Sequence, residues 1–150
     1  MGPWAQRGPT AAGRGAGGTT VGVMGRRRDG PGWLTVGHGL RDGPAVPLEI
    51  AVSARARTRG LLGRDGIVGA MLLSPASSVH TFGMRFAIDV AYLDRELRVV
   101  AVRTTAPGRL GLPRPRARHV LEAEAGAMEG WGVRPGVRVG VWAVVGPSGD

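Results

Sequence analysis

The chain contains no cysteine. That excludes disulfides, thiolate nucleophiles and every metal site built on cysteine sulfur. Lysine is absent too: all 20 basic side chains are arginine. Total loss of lysine beside abundant Ala, Gly, Pro and Val reads as a GC-rich coding bias written into the surface. The net charge of +9 is therefore weak evidence for a polyanionic partner. Aromatics make up only 5% of the residues, which leaves Val, Leu, Ala and Ile to build a core. No run of about 18 apolar residues occurs, so no helical membrane span is expected. No apolar stretch follows Arg7, Arg14 or Arg26 to Arg28 either, so neither a signal peptide nor a twin-arginine signal is read and a cytoplasmic location is expected.

What is present fits one small domain. The chain has 150 residues, 43% of them hydrophobic, enough for a single core. Residues 1–45 hold nearly half of the 27 glycines and few bulky apolar side chains. Such a segment buries too little surface to offset its ordering entropy, so a largely disordered extension is expected. The exception is WLTVGHGL, 33–40, which has room for a short strand and places His38 in a loop between two glycines. A single β-barrel-like domain is expected over 46–146, followed by a frayed tail at 147–150.

The texture changes at Val46. Leu48, Ile50 and Val52 alternate with Glu49, Ala51 and Ser53, the period of a half-buried strand. Ser53 suits a helix N-cap, and ARARTRGLL reads as a short helix closed by Gly63. GAMLLSP, 69–75, is a short apolar strand stopped by Ser-Pro. In HTFGMRFAIDVAYLD, 80–94, alternation sorts Phe82, Met84, Phe86, Ile88, Val90 and Tyr92 onto one face. Extended throughout, that stretch would span roughly 50 Å, too long for one strand of a small domain. Two strands with a bend near Gly83 or Arg85 are expected. DREL is a turn and LRVVAVRTT its hairpin partner. A Pro- and Arg-rich loop at 106–118 leads to a strand at HVLEA, one weak helical turn within 124–133, and a closing strand VRVGVWAVV with Val137, Val139 and Val141 inward. Six or seven strands and one short helix define an all-β, mainly antiparallel barrel or sandwich.

Taken in order, EIAVSARARTRGLLGR, GAMLLSP, VHTFGMRFAIDVAYLD, RVV and HVLEAEAGAMEGWGVRPG resemble the family known as domain of unknown function 192, a widespread prokaryotic group. The likeness runs from about residue 46 to 145. It implies a β-barrel-like fold with one short helix and no established activity. It also singles out Ala51, Arg57, Gly60, Leu61, Arg64, Met84, Asp89, Asp94, Leu121, Glu122, Gly126 and Gly136 as family-typical positions. The chain departs from the pattern at Ala87, where many relatives carry Pro, and at Val137, where many carry Asp.

Several chemistries compete for these residues. His80 and Met84, with His119 from another strand, would suit copper, but four residues of strand span about 13 Å, and Met84 between Phe82 and Phe86 packs well as core. No metal or cofactor signature is found. A hydrolase would need His80, Asp89 and Glu122 to converge, without a nucleophile elbow to help. The bland alternative makes Asp89, on the polar face beside Arg85, a salt-bridged or backbone-bonded residue and makes Asp94 a turn former. Nucleic-acid binding would use Arg103, Arg109, Arg114, Arg116 and Arg118, with Arg55, Arg57, Arg59 and Arg64 as a second patch and Trp131 or Trp142 for stacking. A small binding or accessory module, acting on a protein partner or a small ligand, requires no missing motif. In that reading His80, Thr81, Arg85, Asp89 and Glu122 form the candidate ligand site, with Arg57, Arg64 and Asp94 as structural polar groups.

Overall fold

The computed structural model describes residues 28–37 and 45–144, so the expectations for the N-terminal extension before Arg28, for His38 and for the tail lie outside the described residues. Seven strands form one sheet: β1 (Gly30–Val36), β2 (Val46–Ala51), β3 (Ala70–Leu73), β4 (Ile88–Leu93), β5 (Val99–Thr105), β6 (His119–Glu124) and β7 (Val139–Ala143). Their spatial order is β5-β4-β6-β3-β2-β1-β7. All neighbours run antiparallel except β2 and β3. Two short helices, α1 (Ala54–Arg59) and α2 (Ala127–Trp131), complete the fold.

The parallel pair follows from the connection. Ser53 ends β2 and caps α1, its hydroxyl accepting from the Ala56 amide at 3.1 Å. The helix and the loop after it carry the chain back to start β3 alongside β2, as a parallel pair requires. Gly69 is forced by this approach: its φ is +77°, and a side chain there would run into the Pro47 carbonyl. The helix ends at Arg59 with Gly60 as its cap at φ 46°, three residues before the Gly63 stop expected from sequence.

The sheet curls into a half-barrel. Its first and last strands meet at one end, where the amide of Val139 donates to Leu97 O and that of Val99 donates to Val137 O. One core draws on all seven strands, with Leu34, Leu48, Leu72, Leu93, Val99, Leu121 and Val141 among its members. A second core lies on the opposite face, where Leu61, Val79, Met84 and Ala117 from the connections cover Met71, Leu73, Val90, Tyr92 and Val120. Every residue of β4 is buried as a result. Alternation along this central strand separates two cores instead of core from solvent.

The all-β, mainly antiparallel expectation therefore describes the molecule, with two corrections. There are two helices and not one. Residues 80–94 supply one strand, not two: His80 makes a single bridge to Leu110, and the chain turns over 81–87 before β4 begins. Gly83 at φ 76° and the Met84 amide bonded to Thr81 O make that turn, so alternation fails and Phe82 ends 52% exposed instead of inward. Upstream of Val46, β1 forms the short strand for which WLTVGHGL has room, beginning three residues earlier at Gly30 and pairing with both β2 and β7. Among the described residues, no helix is long and apolar enough to cross a membrane.

Candidate functional site

Glu122 sits on β6, the strand between β4 and β3, opposite Val90 on one side and Met71 on the other. It shares a face with Val120 and therefore points into the second core. It is 5% exposed, and among the described residues no hydrogen bond or ion pair reaches its carboxyl group. Burial without a compensating charge pushes its pKa up to about 7. Ionising a carboxyl in this position is costly, because no protein donor replaces the water that its charged form has lost.

A cavity of about 90 Å³ opens beside it. Glu122, Leu61, Leu73, Val79 and Met84 make the buried floor and walls, and Thr58, Arg59, Ser78 and His80 form the exposed rim. The end of α1 delivers one side of the rim and the segment before the 81–87 turn delivers the other. Arg57, at the edge, is held by two carbonyls, its Nε donating to Val52 O at 3.2 Å and its Nη1 to Pro75 O at 3.1 Å. Of the family-typical positions, Arg57, Gly60, Leu61, Met84 and Glu122 meet around this one cavity.

The remaining candidates are placed elsewhere. Asp89 belongs to the opposite face, with its neighbour Ala91 in the first core. Among the described residues it has no arginine partner: Oδ1 accepts from Thr104 Oγ1 at 2.7 Å, and Oδ2 accepts from the amides of Gly126 and Met128 at 2.9 and 3.2 Å. Asp89 thus caps α2 from a distance, replacing the side chain that Gly126 lacks. The expected Arg85–Asp89 pair does not form, and Arg85 instead meets Asp65 at 3.1 Å in solvent. The reason is the turn over 81–87, which takes Arg85 off the strand that carries Asp89. Thr81 is fully buried, its hydroxyl donating to Ala106 O at 2.7 Å and accepting from the Arg109 amide at 2.8 Å. It pins the 106–118 loop.

His80 and Glu122 are therefore brought together, whereas Asp89 lines a second cavity of about 330 Å³ with Val102, Thr104, Gly126 and Arg134. That cavity is the larger, but its buried carboxylate already has three donors. His119 faces the side of Leu121, away from Met84, and its Nδ1 is 2.7 Å from Ser74 Oγ. His80, Met84 and His119 are accordingly split across the sheet. Among the described residues, no group of three His, Cys, Asp or Glu side chains is arranged to hold a metal ion.

The polar groups read as structural have local partners. Arg64 meets Glu49 at 2.7 Å, and Asp94 Oδ1 accepts from the Glu96 and Arg98 amides. In the arginine loop, Arg114 lies over the Tyr92 ring at 4.7 Å and Arg118 donates to Pro115 O. Trp142 donates its indole N–H to Thr35 Oγ1. Sequence reasoning missed Ser78, Leu73 and Val79 as cavity lining and assigned Arg59 to a polyanion patch. It also missed Asp29, whose carboxylate accepts from the Val52 and Ser53 amides and the Ser53 hydroxyl. Those bonds, the hydroxyl's first, lower its pKa.

The fold and this cavity define a small half-barrel β-domain with a buried acid beneath an open rim. The chain belongs to the DUF192 family of uncharacterized ACR proteins, whose profile matches residues 38–141. It is 34% identical over 87 residues to a UPF0127 protein of Pyrococcus horikoshii, across 55% of this chain and 76% of that one. Among solved structures, a candidate transcription regulator from Sinorhizobium meliloti 1021 shares the fold with a TM-score of 0.64 at 18% identity, covering 78% of this chain and 98% of its own. A protein of unknown function from Novosphingobium aromaticivorans follows at 0.60 and 19%, covering 71% of this chain and 82% of its own. No activity is established for the family.

Proposed function

We propose that this chain is a small-molecule-binding module whose ligand enters the Glu122 cavity. One observation carries the reading: a carboxyl group 5% exposed, with no partner among the described residues, lines an open cavity. A largely buried carboxyl without a protein partner, with a perturbed pKa and at the edge of a cavity, is on physical grounds a candidate binding group. The walls suit a ligand, since apolar side chains with one convergent polar group are the usual make-up of a binding pocket. The volume has room for roughly a few ligand atoms beyond the rim, so the group recognised is compact.

A protein partner or a nucleic acid is a weaker reading, because Arg64, Arg114 and Arg118 are engaged within the chain and Trp142 is tied to Thr35. A hydrolytic group of His80, Asp89 and Glu122 is not proposed, because Asp89 opens onto the other cavity.

Thermal melting of the full chain against a set of small polar fragments tests the reading. A fragment at a hundred times its Kd adds about 2.7 kcal/mol, a clear rise in melting temperature. The rise should vanish in Ser78→Trp, where an exposed rim residue is replaced by one bulky enough to close the cavity. No rise with any fragment, or a rise that survives Ser78→Trp, would contradict the proposal.

A further inference from the structure

The charge around the cavity is arranged by depth. Its floor holds the one acid, Glu122, and the strands that flank that acid present only Met71 and Val90. The walls, Leu61, Leu73, Val79 and Met84, are apolar. The charged or titratable groups that remain are Arg57, Arg59 and His80. Arg57 is bonded to two backbone carbonyls, which fixes its guanidinium without neutralising it. Arg59 forms no ion pair among the described residues.

A simple cation would satisfy the floor but would meet two guanidinium groups on the way in, on a chain of net charge +9. A simple anion would be drawn to the rim and repelled from the floor. Neither matches both ends. Resting on the reading of this cavity as a ligand site, the geometry points to a short dipolar ligand, with an ammonium group against Glu122 and a carboxylate at the Arg57–Arg59 rim. The ammonium replaces the proton that a buried, unpaired carboxyl otherwise keeps, and the carboxylate finds the free guanidinium. Binding releases that proton, so affinity rises as pH passes upward through about 7.

Isothermal titration of the full chain with β-alanine, 4-aminobutanoate and 6-aminohexanoate, beside butylamine, butanoate and butanamide, tests the class. One ω-amino acid should bind at least tenfold more tightly than either butylamine or butanoate. Glu122→Gln should remove its advantage over butanoate, and Arg59→Gln its advantage over butylamine. Butylamine or butanoate binding as tightly as the best amino acid would overturn the dipolar class. So would a preference for butanamide, although either result leaves the cavity as a binding site. Silence across all six compounds also overturns the class. The cavity reading itself falls if the broader fragment melts are silent as well, or if their rise survives Ser78→Trp.

Discussion

Glu122 is the residue on which the account turns, and its environment sets a pH dependence of stability. Folded, it titrates near 7, whereas the ordinary value is 4.5. The folded state therefore holds more protons between those values. The contribution of Glu122 to stability is therefore greatest below about 4.5, falls as pH rises, and is lower by about 3 kcal/mol once pH passes 7. Glu122→Gln keeps the shape and removes the charge, so its melting temperature should exceed that of the wild type at pH 8 by on the order of 10 °C and match it near pH 4. Equal melts at both values would mean that the carboxylate is compensated. Thr81 supports a second prediction at this scale. Its hydroxyl holds the 106–118 loop at two points, so Thr81→Val should speed hydrogen exchange at Gly108 and Arg109 while leaving exchange in β6 unchanged.

Among the elements, α2 depends on a residue outside itself. It has five residues, too few to stand alone, and the Gly126 and Met128 amides at its start donate to the Asp89 carboxylate on β4. Asp89→Ala should cost about 2–3 kcal/mol, read from denaturant melts, by leaving Gly126, Met128 and Thr104 without their acceptor. Elements of this kind divide what the sequence made legible from what it did not. A period-2 run marked β2, a short apolar run marked β3, the hairpin return marked β5, HVLEA marked β6 and Ser53 marked the start of α1, because local pattern and capping chemistry carry those signals. The stretch from His80 to Ala87 misled, since alternation there reflects a turn around Gly83. Asp89 was legible as a backbone-bonded polar residue but not as a cap, because its amide partners lie 37 and 39 residues away. Glu122 was visible as facing opposite to Leu121. What could not be seen was that this opposite face is also a core, which depends on β6 being central and on loops folding over it.

At the scale of the molecule, the half-barrel closes at one end and relies on β1 to join its two parts. β1 stands between β2 and β7, so without it the last strand loses its partner along the sheet. A chain beginning at Val46 should lose cooperative melting, whereas one beginning at Arg28 should keep it. Two cores back to back also explain how so few aromatics suffice: residues of the inner strands pack on one side or the other, and aliphatic side chains fill most of both. Where the second core is interrupted by the Glu122 cavity, the molecule departs from simple packing, and that departure is the basis for reading a site there. The most direct test is a carboxyl carbon-13 titration of Glu122 by NMR in the unliganded full chain. A midpoint near 7 is the result expected for a buried acid awaiting a partner, and a midpoint at the ordinary 4.5 would contradict it.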